Sequence, residues 1–297
     1  MTILDGVSLV PLVLTLIAAA AAAGFLAGLF GIGGGAIFVP VLYQTFETLG
    51  VSHAVSMHLA VGSSIAIIVP TSLRSLRSHL QRGAVDTTLL RQWVIAIPLG
   101  AVAGAFLASL ASSQELRAIF AVLAFLFGAK MLAGRFEFRL GQDLPGRFGR
   151  SVAGFVIGLL SALMGIGGGV LNNTFMTLYG RPIHQAVATS AGVGALIAVP
   201  GLFAYVVGGW GEAELPAFSL GFVNLFAVAV VAPASILAVP LGAALAHRLS
   251  RRPAGARLRQ LPPDRRRPLR LEPYLTSQGG VGLSRSSPGG RRESRRR

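Results

Sequence analysis

No cysteine occurs anywhere in the chain, which excludes disulfides and thiolate-held metals. Charge is nearly as scarce. Asp, Glu, Lys and Arg make up 12% of the 297 residues, while 53% are hydrophobic. Soluble domains carry about 25% charged residues. Half that value, with a mean hydropathy of +0.67, is the composition of an integral membrane protein. No Asp, Glu or Lys lies deep in an apolar run, which argues against a carboxylate cage for sodium or another metal, and no cofactor is expected. The chain also lacks a His-Glu-x-x-His motif, a catalytic Asp pair and an ATP-binding motif. Intramembrane catalysis has no support, and any transport has to draw on a gradient.

The net charge of +15 looks like a nucleic-acid signal until it is located. Residues 248–297 hold 15 Arg against 3 Asp or Glu, so the body of the chain is close to neutral. From 258 onward the sequence is rich in Pro, Gly, Ser and Arg, with one aromatic residue, Tyr274. Such a segment buries no apolar face and is expected to be disordered. It contains no nucleic-acid motif, and no nucleic-acid partner is expected. A polybasic grip on anionic lipid or RNA is its alternative use.

What is present in abundance is glycine at particular places. Gly24–Pro40 is an apolar run interrupted by Gly31, Gly33, Gly34 and Gly35. Gly158–Val170 repeats it, with Gly165-Ile166-Gly167-Gly168-Gly169 falling 134 residues after Gly31–Gly35. Each glycine inside a helix costs about 1 kcal/mol relative to alanine. A break repeated at matching positions is therefore wanted in itself.

The segments around the breaks repeat too. Ser8–Phe30 is long enough to span the hydrocarbon core. The absence of Lys or Arg ahead of it and its uninterrupted run into the glycines argue against a cleaved signal peptide. A short apolar piece, Ala36–Phe46, follows, then spans at His53–Leu73, with Pro70 kinking its end, at Leu89–Leu110 and at Leu116–Ala133. In the second half come Val152–Met164, the short Val170–Tyr179, Gln185–Val207 and Leu220–Ala246. Ala54-Val55 and Val61-Gly62 recur as Ala186-Val187 and Val193-Gly194, and Pro98–Ala101 recurs as Pro240–Ala243. The same echo calls for a last helix near Leu258, where the chain instead reads Gln260–Arg267. The tail is thus expected to replace that helix, through a reading-frame slip or a divergent C-terminus.

The expected fold is an all-α polytopic integral membrane protein made of two homologous multi-helix repeats with glycine-broken helices. Residues 1–134 form the first repeat, 135–151 a basic inter-repeat loop, 152–257 a second repeat lacking its last helix, and 258–297 the tail. Lys and Arg mark the cytoplasmic side. If each glycine break separates two crossing elements, the clusters Arg74–Arg91, Lys130–Arg150, Arg181 and Arg248–Arg252 all fall inside and Glu212 and Glu214 outside. An odd number of crossings per half makes the repeats inverted, a recurrent transporter plan.

A break leaves backbone N–H groups unpaired at the start of the next helical piece. With the positive end of the helix dipole they form an anion site, and glycine lets the backbone approach the ligand. Close helix packing is the competing reason for such glycines. The candidate binding groups are Gly33, Gly34 and Gly35 with Gly167, Gly168 and Gly169. Asn172, Asn173, Ser63 and Ser64 could donate to an oxyanion without adding charge. Thr174, Thr189 and Ser190 are nearby polar groups, and each Ser or Thr could instead bond its own helix backbone. His58 is the candidate proton carrier, or else a packed neutral ring.

The motif Gly28–Pro40, its partner Gly165–Gly169 and the segment His53–Gly62 resemble the sulfite exporter TauE/SafE family over roughly residues 8–250. The resemblance implies a permease with duplicated halves in the cell inner (plasma) membrane. It implies a small sulfur-containing anion or organosulfonate as cargo, with membrane lipid as the other partner. It also implies a final span that Leu258–Arg297 does not supply. A passive anion channel is the alternative function, and a membrane-tethered lipid or RNA binder working through the tail is another.

Overall fold

The computed structural model describes residues 9–30, 34–132, 141 and 143–250. Gly33, residues 135–140 and 142 of the inter-repeat loop and the tail 258–297 lie outside the described residues. Ten helices follow one another among them: α1 (Leu9–Phe30), α2 (Gly35–Thr48), α3 (Ser56–Leu80), α4 (Thr87–Trp93), α5 (Ala96–Leu110), α6 (Ser113–Leu132), α7 (Arg147–Met164), α8 (Gly169–Leu178), α9 (Ile183–Gly208) and α10 (Leu225–Ser250). Four of them, α3, α7, α9 and the stretch Leu225–Gly242 of α10, are long and apolar enough to cross a membrane, and α4 with α5 makes a fifth if the pair is one bent span. The chain is an all-α, multi-pass membrane protein.

The centre is the pair α3 and α9, packed on each other. From Val55 to Ile68 every residue is buried, so the first half of α3 has no solvent- or lipid-facing side. Its apolar residues and the polar Ser56, His58, Ser63 and Ser64 are all turned to other parts of the protein. Around this pair, α1 lies along α10 and α7 along α5. Small residues set both approaches: Gly24 stands against the backbone of Ser235 and Gly242 against the Phe25 carbonyl, while Gly158 stands against the Ile97 carbonyl and Gly104 against that of Leu159. Close backbone approach takes the place of the hydrophobic drive that lipid does not provide. The outer faces of α5 and α6 present Leu99, Phe106, Phe125 and Leu126, as a lipid-facing surface should.

Three elements depart from the sequence expectations. The helix containing Pro70 runs ten residues past it to Leu80, which carries Arg74 and Arg77 on its last turns. The hydroxyls of Thr71 and Ser72 next to the proline turn back onto their own helix, on the carbonyls of Ile67, Ile68 and Val69. The expected span Leu89–Leu110 is two helices bent by 51°. Pro98 explains the site of the bend, since its ring collides with the carbonyl of Val94 four residues earlier. Finally, the span expected from Leu220 begins with a two-stranded hairpin, Ser219–Leu220 against Val223–Asn224, turned by Gly221 at φ 54. Asn224 then caps α10, its Oδ1 accepting the Ala227 N–H at 2.9 Å.

Candidate functional site

The second break is built from two left-handed glycines. α7 ends in a Schellman motif: Gly165, at φ 65, donates its N–H to the Ala162 carbonyl, and Ile166 donates to the Ser161 carbonyl at 2.9 Å. Three residues on, Gly168 at φ 70 starts α8. A residue with a β-carbon resists both conformations. The whole elbow, Ser161–Gly169, is buried.

The first break has the same start. Gly34 precedes α2 at φ 73, the counterpart of Gly168 at a separation of 134 residues. The two elbows touch. A β-carbon placed on Gly35 would lie 2.1 Å from the Gly165 carbonyl oxygen and 2.7 Å from the Ile166 α-carbon. Ser64, fully buried on α3, donates its hydroxyl to the same Gly165 carbonyl at 2.8 Å. Gly194 of α9 brings its backbone over Gly167, where a β-carbon would stand 3.2 Å from the Gly167 carbonyl oxygen. Neither α2 nor α8 has a side-chain cap on its first turn. Their first N–H groups have no carbonyl four residues back, which leaves two uncapped donor ends in a buried setting.

The polar side chains divide between this site and elsewhere. Asn172 is fully buried one turn into α8. Its Nδ2 donates to Ser190 Oγ at 2.7 Å and to the Ala186 carbonyl at 3.2 Å, so its hydrogens tie α8 to α9. Ser190 in turn donates to Asn173 Oδ1 at 2.8 Å. Thr189 faces away from this cluster and accepts the Asp86 N–H at 2.9 Å. Ser63 Oγ accepts the Asn224 N–H at 2.9 Å, which fastens the hairpin and the start of α10 to α3. His58 Nε2 lies 3.0 Å from the carbonyls of both Ala108 and Ala111 at the end of α5, and its ring stacks on Phe222 at 4.8 Å. Two carbonyls at one nitrogen require that nitrogen to carry the hydrogen. None of these His58 contacts is with a break residue. The site therefore gathers Gly34, Gly35, Gly167, Gly168, Gly169, Ser64, Asn172 and Asn173, while Ser63 and His58 bond elsewhere.

Sequence reasoning missed Ser161 and Asn224. Asn224 was legible as a polar cap before an apolar run. Ser161 has no such signal: it is one of many serines in apolar helices, and only the fold sets it beside Gly168. Ser161 and Gly168 line a small pocket with room for about one water molecule, walled otherwise by Phe127, Met164, Ile166, Val170 and Leu171.

Interrupted helices meeting inside a bundle of apolar spans define a polytopic membrane protein of the transporter class. The chain belongs to the sulfite exporter TauE/SafE family, whose profile matches residues 16–258. It is 35% identical over 231 residues to a probable membrane transporter protein of Haemophilus influenzae, covering 77% of this chain and 87% of that one. A probable membrane transporter protein of Methanocaldococcus jannaschii is 25% identical over 234 residues, covering 76% and 84%. The probable membrane transporter protein YunE of Bacillus subtilis is 28% identical over 207 residues, covering 63% and 76%. No solved structure matches the chain.

Proposed function

We propose that the protein carries a small anion, sulfite or another sulfur oxyanion or organosulfonate, across the cell inner membrane by gradient-driven secondary transport. The backbone amides around Gly33–Gly35 and Gly167–Gly169 hold the ion, and Ser64, Asn172 and Asn173 keep the elbows in register. The observation that carries this reading is the pair of uncapped, buried helix starts of α2 and α8, the first of which packs through Gly35 on Gly165 in the elbow that leads to the second. Donor ends of this kind hold an anion without a buried cation.

The same reading takes the halves as inverted repeats. The inversion rests on the charge pattern, and the repeat itself has support from the helix pairs: if α1 matches α7 and α10 matches α5, the pairing α1–α10 becomes α7–α5 on exchange of the halves. Gly24 on Ser235 then corresponds to Gly158 on Ile97, and Gly242 on Phe25 to Gly104 on Leu159. This match is one helical turn away from the pairing of Pro98–Ala101 with Pro240–Ala243.

Purified protein in sealed vesicles tests the function. Accumulation of labelled sulfite against its gradient, abolished by an uncoupler, is the expected result. Saturable flux that only ever runs downhill would make the protein a channel.

A further inference from the structure

We infer that Ser161 is a direct hydroxyl ligand for the anion, and that the ion seats at the start of α8 rather than midway between the two breaks. This rests on the anion-transport reading above and narrows its site from both elbows to the second, whose amides then hold the ion without those around Gly33–Gly35.

Ser161 is 1% exposed, and its Oγ has no hydrogen-bond partner. That is unusual for a serine within a helix, where the hydroxyl ordinarily turns back onto its own backbone. Thr45, Thr71, Ser151 and Thr177 all do so here, each bonding the carbonyl four residues earlier. Ser161 instead sits over the break: its Oγ is 3.3 Å from the point a β-carbon on Gly168 would occupy. Gly168 is the residue that opens α8, and no side chain caps that helix. Two unmet requirements thus adjoin, bare N–H donors at a buried helix start and a buried hydroxyl with nothing to bond. An oxyanion satisfies both, since a hydroxyl donates to it as the helix amides do.

The first break offers less. At the same separation of 134 residues, Ala27 stands for Ser161, Phe38 for Asn172 and Val39 for Asn173, and none of these side chains can donate. The start of α2 is also crowded, because the Gly165 carbonyl oxygen presses on Gly35. A carbonyl oxygen there answers the positive end of α2 and repels an anion. The first elbow is thus the packing member of the pair and the second the binding member. The pocket beside Ser161 holds about one water, so the ion enters by parting its apolar walls, Phe127 of α6 among them.

The test uses the full chain in nanodiscs, with sodium sulfite and sodium ethanesulfonate as probes and sodium chloride as the control. Melting temperature and probe affinity are measured for the wild type, Ser161→Ala and Ser161→Thr. Because Ser161 bonds nothing in the protein, Ser161→Ala is expected to melt no lower than wild type without probe. Its affinity for the probe is expected to fall at least about tenfold, the loss of one hydrogen bond to a charged group. Ser161→Thr, which keeps the hydroxyl, recovers part of it. Unchanged affinity in Ser161→Ala beside a wild type that binds would overturn the Ser161 assignment and leave the anion reading standing. A lower melting point of Ser161→Ala without probe, at unchanged affinity, would make the residue a packing element and overturn the assignment as well. A wild type that binds neither probe would sink the anion reading itself, and this inference with it.

Discussion

Gly35 and Gly165 share one point of contact: the carbonyl oxygen of Gly165 occupies the space in which any other residue at 35 would carry its β-carbon, 2.1 Å away. The obstacle is backbone on a helix end tied by a Schellman motif, not the tip of a pliable side chain. Two distant parts of the chain are thereby held at backbone distance, and a third, α3, ties in through the hydroxyl of Ser64.

Gly35→Ala is accordingly expected to destabilise the protein by about 3 kcal/mol, the upper range for overpacking. A melting curve in detergent or a decreased yield of monodisperse protein reports it. Wild-type stability in this variant would show that α2 and α7 are not in contact.

Gly168→Ala meets two penalties. Its left-handed backbone costs a β-carbon about 1–2 kcal/mol, and that carbon would stand 2.5 Å from Ile197 Cδ1. The isoleucine tip can move, so the variant should fold less stably but remain intact, while probe binding falls sharply. Intact binding in Gly168→Leu, a larger intrusion at the same position, would remove the start of α8 from the site.

Ser64→Ala removes the hydroxyl from the Gly165 carbonyl and leaves that carbonyl buried with one donor fewer. A loss of about 1–2 kcal/mol is expected. Chemical denaturation of the two proteins side by side measures it, and Ser64→Thr should restore most of the difference.

His58→Leu takes a side-chain N–H from two carbonyls at the end of α5 and is expected to cost about 2–3 kcal/mol. The same variant decides the proton question. With the ring held by Ala108, Ala111 and Phe222, uncoupler-sensitive uptake should persist in whatever protein still folds. Uptake that becomes indifferent to the proton gradient would return His58 to a coupling role.

Removal of residues 258–297 should leave transport in place, because the family match ends at residue 258. Flux assays on the shortened chain check this directly, and a dead but folded product would assign the tail a function in the cycle.

The legible part of this protein is local. Sparse charge and long apolar runs announced a membrane bundle, and the doubled Gly-Ile-Gly-Gly-Gly announced the two helix breaks, because no helix carries such clusters without a reason. Boundaries failed where a neighbour intervened. Pro70 reads as a kink that ends the span near Leu73, yet α3 runs on to Leu80. His58 and Ser63 read as lining a site because they lie near the motif in a polar patch. Their partners, Ala108, Ala111 and Asn224, come from segments that no pattern ties to them.

What the sequence by itself determined is therefore the membrane class and the existence and position of the two breaks, since hydropathy and the cost of glycine in a helix act residue by residue. Only the tertiary structure decided that the breaks touch, that Asn172 spends its hydrogens on α9, and that the hydroxyl of Ser161 lies over the opening of α8 without a partner. Those facts depend on which carbonyls and amides meet across the bundle. In a lipid-embedded chain that is settled by close backbone packing at scattered small residues, which carries no periodic mark along the chain.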